Sequence, residues 1–163
     1  MRPARQAALA GPASRREDAG MTRNPLRLDA QLCFALYAAS NRMTRLYRPE
    51  LSPLGLTYPQ YLVLLVLWEQ SPLCVSDLGL RLGLDSGTLT PLLKRMQVHD
   101  LVERRRCGED ERKVLIALTA RGDSLREPAR AIPAAIVRRL GLPRSELERL
   151  RAGVQRLTRC VGT

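Results

Sequence analysis

Cys33 is the residue whose surroundings best fit chemistry. It lies in the run Gln31-Leu32-Cys33-Phe34-Ala35-Leu36-Tyr37, beside an apolar stripe of helical spacing. Near a helix start, the positive end of the macrodipole favours thiolate, the reactive form of the side chain. A thiol in that place equally serves as a small apolar filler. Phenols could set the balance, because an O–H donated to sulfur stabilises thiolate. Tyr47 is on the same helix but about four turns away, roughly 21 Å. It can therefore meet Cys33 only across a pair of antiparallel first helices, where Tyr58 from the next helix could join it.

The other cysteines, Cys74, Cys107 and Cys160, are widely spaced, and His99 is the single histidine. That pattern supplies no metal site and no cofactor. Without a secretory leader it fits a reducing, cytoplasmic setting rather than a disulfide scaffold. No apolar run approaches the roughly 20 residues of a membrane span.

The net charge of +11 calls for a polyanion, with nucleic acid the leading candidate. A single Phe and a single Trp leave an aliphatic core rich in Leu and Ala, which favours helices. Residues 1–24 lack periodicity and read as a disordered basic tail, with Met21 an alternative start. A first helix begins near Leu28, with a stripe of Leu28, Leu32, Ala35, Leu36, Ala39, Met43 and Leu46, and should falter at Arg48 before Pro49. Thr57 caps a second helix running to about Glu69. Ser76 caps a short third helix closed by Gly83. Asp85 caps a fourth, Ser86 to Val98, with Leu89, Leu92, Leu93 and Met96 inward.

The opposite face of that fourth helix is polar and basic. Ser86, Thr88 and Thr90 suit base edges in a major groove, while Lys94 and Arg95 suit phosphates or guanine. The helix start offers free N–H groups to a phosphate. Strand-like Leu101–Arg106 and Lys113–Leu118 flank a turn, Cys107–Arg112, forming a hairpin whose tip carries Arg112 as a minor-groove probe oriented by Asp110. Thr119 caps a long helix interrupted near Pro128 and Pro133, and a final helix runs to about Arg159 with Leu147, Leu150, Val154 and Leu157 on one face.

The expected fold is mainly α with a small β-hairpin wing: a winged helix–turn–helix over 57–118, dimerising through helices of 25–56 and 119–163. The function it fits is binding of double-stranded DNA as a homodimer.

At the level of motifs the chain resembles the MarR family, and within it the OhrR branch that senses organic hydroperoxides. The resemblance rests on Gln31–Tyr37, on Leu56–Tyr61, on Leu84–Arg95 including the outward-facing Pro91, and on Asp110-Glu111-Arg112 followed by Leu118-Thr119. It implies a homodimeric repressor, bound to an operator near a peroxide-detoxification gene, that leaves DNA when Cys33 is oxidised to a sulfenic acid. Tyr47 and Tyr58 would hydrogen-bond that thiol from the partner subunit, with Tyr37 a further neighbour. Two-cysteine relatives carry a resolving cysteine near the position of Arg138 and Arg139, where this chain has none. The resemblance then implies capping by a low-molecular-weight thiol, with Cys160 the alternative resolving thiol. A repressor answering to a small aromatic ligand is the competing reading. A thiol peroxidase is disfavoured because no general acid or reductant site is evident.

Overall fold

The computed structural model of the chain describes residues 24–106 and 114–161. The expected tail up to Arg23 and the wing turn Cys107–Arg112 lie outside the described residues. The described residues divide between two compact units, with the boundary after Met43.

In the first unit, a 3-10 turn over Leu28–Ala30 precedes α1 (Leu32–Leu51), whose course passes the boundary between the units. Asp29 favours this turn rather than the helix proper, and pairs with Arg27. Gln31 ties the turn down by donating from Nε2 to the Pro25 carbonyl at 2.6 Å and to that of Arg27 at 3.1 Å. No described residue of this unit is buried.

The second unit opens with a departure from expectation. The helix does not stop before Pro49 but runs on to Leu51. Proline removes one backbone hydrogen bond, but tertiary contacts offset the loss. Leu51 is 1% exposed, and Glu50 accepts from Arg139 Nη2 at 2.8 Å. A 3-10 turn, Ser52–Leu54, then leads to α2 (Tyr58–Glu69). Thr57 caps α2 as expected, with its backbone N–H donating to Gln60 Oε1 at 2.8 Å in a capping box.

After α2 come β1 (Leu73–Cys74), α3 (Val75–Leu82) and α4 (Ser86–Val98). The cap of α3 falls at Cys74, not Ser76, because the pairing of β1 holds the preceding residue extended. Gly83 ends α3 with φ +64°, a left-handed geometry that costs glycine little. The hairpin strands are β2 (Val102–Arg106) and β3 (Val114–Leu118). The antiparallel sheet has the order β1-β3-β2, with Leu73 opposite Ile116 and Arg104 opposite the same residue on the other side.

The expected long helix is three pieces: α5 (Ala120–Ser124), α6 (Arg126–Ala129) and α7 (Ile132–Leu140), ended by Gly141. Thr119 caps the first, its hydroxyl accepting from the Gly122 N–H at 3.0 Å. The last helix is α8 (Arg144–Val161). The core of this unit is aliphatic. Leu64, Leu67, Leu78, Leu89, Leu93, Met96 and Ile116 are among its fully buried side chains.

Candidate DNA interface and thiol site

Local chemistry fixes the start of α4. Asp85 accepts from the Thr88 N–H at 2.8 Å and from the Thr88 hydroxyl at 3.0 Å. These bonds, the backbone one first, hold its carboxyl below the usual aspartate range. Two expectations change in consequence. One of the N–H groups foreseen for a phosphate is already occupied, and the Thr88 hydroxyl is held by the cap.

Leu89, Leu92, Leu93 and Met96 turn inward and are buried. Their burial presents the other face, where Ser86, Lys94, Arg95 and Pro91 are exposed and Thr90 is half-buried. The first helix of the pair, α3, packs against α4. The arrangement is a helix–turn–helix with a polar, cationic second helix, followed by the β2–β3 hairpin. Asp110 and Arg112, the residues expected at the wing tip, lie outside the described residues. The strand leading to that tip ends in Arg104, Arg105 and Arg106.

The phenols foreseen beside a thiol come together within the second unit. The rings of Tyr47 and Tyr58 have centroids 4.7 Å apart, and Tyr61 lies 6.0 Å from Tyr47 and 6.3 Å from Trp68. Burial raises the pKa of Tyr47, Tyr58 and Tyr61 above the ordinary phenol value, so all three keep their O–H at neutral pH. Tyr61 was missed from the sequence, although its spacing of three from Tyr58 on α2 was a signal that they share a face.

Cys33 is the second residue of α1 and is exposed, as is Tyr37 one turn on; both are in the first unit. Cys160 is exposed near the end of α8, and Cys74 is half-buried. Among the described residues no cluster of His, Cys, Asp or Glu is arranged to hold a metal, and no single helix is long and apolar enough to cross a membrane.

Known proteins share this architecture. Residues 45–127 match the family described as transcriptional regulator SarA/Rot. The organic hydroperoxide resistance transcriptional regulator of Bacillus subtilis (strain 168) is 52% identical over 126 residues, covering 77% of this chain and 84% of that protein. Reduced AbfR bound to DNA superposes with a TM-score of 0.69 at 36% identity, covering 85% of this chain and 97% of that one. AbfR, from Staphylococcus epidermidis, is also matched in an overoxidised, DNA-bound form and in a disulfide form. Apo MarR of E. coli superposes with a TM-score of 0.63 at 25% identity, covering 78% of this chain and 96% of that one. The helix–turn–helix, the hairpin and these likenesses agree: the chain belongs to the MarR family of winged-helix transcriptional regulators, of OhrR type, and is a DNA-binding protein rather than an enzyme.

Proposed function

We propose that the protein is a homodimeric repressor that senses organic hydroperoxides through Cys33 and then releases its operator. The observation that carries this reading is the Tyr47–Tyr58 ring pair, half-buried and held as protonated donors. Cys33, exposed at the start of α1, meets that pair from the partner subunit. The relative named for organic hydroperoxide resistance, and AbfR known in reduced, overoxidised and disulfide forms, support the same chemistry.

In the reaction, the Cys33 thiolate attacks the terminal peroxide oxygen. The O–O bond breaks, sulfur gains the hydroxyl as a sulfenic acid, and the departing alkoxide takes a proton to become an alcohol. A low-molecular-weight thiol then condenses with the sulfenic acid, releasing water. Loss of the phenol–sulfur bonds and the added bulk shift the dimer from its DNA-bound arrangement. On the DNA side, Ser86 and Thr90 approach bases, Thr88 can do so through its methyl because its hydroxyl donates to Asp85, and Lys94 and Arg95 approach phosphates. Asp110 and Arg112 act at the wing.

An operator mobility shift with reduced, peroxide-treated and Cys33→Ser protein tests the reading. Cys33→Ser should bind DNA and ignore peroxide, and mass spectrometry of the treated wild type should find a small thiol on Cys33. A Cys33–Cys160 cross-link in its place would assign the resolving role to Cys160. Peroxide release that persists in Cys33→Ser would favour the second reading, control by a small aromatic ligand. That reading has its own support in a cleft of about 340 Å³ bordered by Tyr61, Trp68, Arg126 and Arg130.

A further inference from the structure

We infer that the cleft beside Tyr58 receives the charged end of an amphipathic hydroperoxide, with Arg45 and Arg48 binding its carboxylate. The inference rests on the reading of Cys33 as the oxidised thiol and adds two specificity residues to it.

The cleft has a volume of about 370 Å³ and lies wholly within the second unit. Leu51, Leu56, Tyr58 and Pro59 give it apolar walls, and Arg45 and Arg48 line it from α1. Three residues apart on a helix, the two arginines share a face. Among the described residues, no acidic side chain lines the cleft. The nearby carboxylate of Glu50 is engaged by Arg139, through Nε at 3.1 Å and Nη2 at 2.8 Å. Among the described residues neither Arg45 nor Arg48 has a carboxylate partner. An apolar hollow flanked by two uncompensated guanidinium groups complements a molecule with a hydrocarbon body and an anionic head.

Tyr58 connects this cleft to the chemistry. It borders the hollow and is also half of the ring pair that would meet sulfur. A ligand anchored at the arginines therefore extends its hydrocarbon part past Tyr58, toward the thiol supplied by the partner subunit. The bond changes are those given above. The carboxylate takes no part in them and only raises the occupancy of the reactive pose.

The test compares the hydroperoxide of linoleic acid with that of its methyl ester, reading Cys33 sulfenic acid formation in the full-length dimer. The wild type should react about tenfold faster with the free acid at subsaturating concentration, the factor expected for one charge-assisted contact. Raising salt should shrink that ratio without any mutation. Arg45→Gln with Arg48→Gln should bring it near one, and Arg45→Lys with Arg48→Lys should retain most of it. Equal rates for acid and ester in the wild type, or a ratio that ignores salt, would overturn the charge inference while leaving Cys33 as sensor. Absence of Cys33 oxidation by either peroxide would instead remove the sensor reading, and the inference with it.

Discussion

Tyr58 has a double position in this protein. It opens α2 immediately after the Thr57 cap, and its ring packs 4.7 Å from that of Tyr47. Burial keeps both phenols protonated, so each remains a donor. Because their folded pKa values are raised, this burial favours the folded state at all pH values below the ordinary phenol pKa, and the contribution is lost as pH rises through the folded values. On the proposed reading, removing either hydroxyl leaves the ring in place but deletes a donor to the Cys33 thiolate, a bond worth about 1.5–3 kcal/mol. Tyr58→Phe and Tyr47→Phe should each slow Cys33 oxidation about tenfold or more in stopped-flow assays. Together they should cost less than the product of the two, since they serve one atom. Wild-type rates in both variants would show that the phenols do not assist the thiol. Tyr47 and Tyr58 were named together by the motif resemblance, whereas Tyr61, signalled only by its spacing of three from Tyr58, joined them when helix packing placed its ring beside that of Tyr47.

Among the elements, α4 was the most legible and α5 among the least. The limits of α4 are set within the chain neighbourhood: Asp85 caps it, and apolar residues recur with helical period until Val98. The brief α5 depends on a distant approach instead. A Cβ on Gly122 would lie 2.0 Å from the Leu101 carbonyl oxygen, and Trp68 Nε1 donates to the Gly122 carbonyl at 3.1 Å. Glycine is required there because backbone meets backbone, which no pattern of local residues announces. Gly122→Ala should destabilise the protein by about 3 kcal/mol. That corresponds to a loss on the order of 10 °C in thermal unfolding of the full chain. A melting temperature within a degree or two of wild type would contradict the close approach. The continuation of α1 through Pro49 and the short strand β1 were illegible for the same reason. The first depends on burial of Leu51 and the Glu50–Arg139 pair, the second on pairing with β3.

As a whole, the molecule leaves apolar surface uncovered at both ends of the chain. Leu28 and Leu32 are each 60% exposed, and on α8 Leu150 is 52% and Val154 50% exposed. Exposed apolar stripes on both terminal helices call for a partner, and a second copy presents the same stripes in self-complementary form. On the proposed homodimer, Leu150→Glu combined with Val154→Glu should convert the dimer to monomer in sedimentation equilibrium. Operator affinity should fall by at least about tenfold, because two linked reading helices bind with an effective concentration that one lacks. A variant that stays dimeric would place the interface elsewhere.

The amino-acid sequence alone was enough for the class of fold, the limits of α2 and α4 and the cationic face of the reading helix. Each of these is written in local terms: a cap, a period, a charge count, a motif. Folding in three dimensions settled which phenols stand together, where two arginines meet an apolar hollow, and why Gly122 admits no side chain. Those facts depend on groups far apart in the chain reaching the same place, and packing, not residue type, decides which ones do.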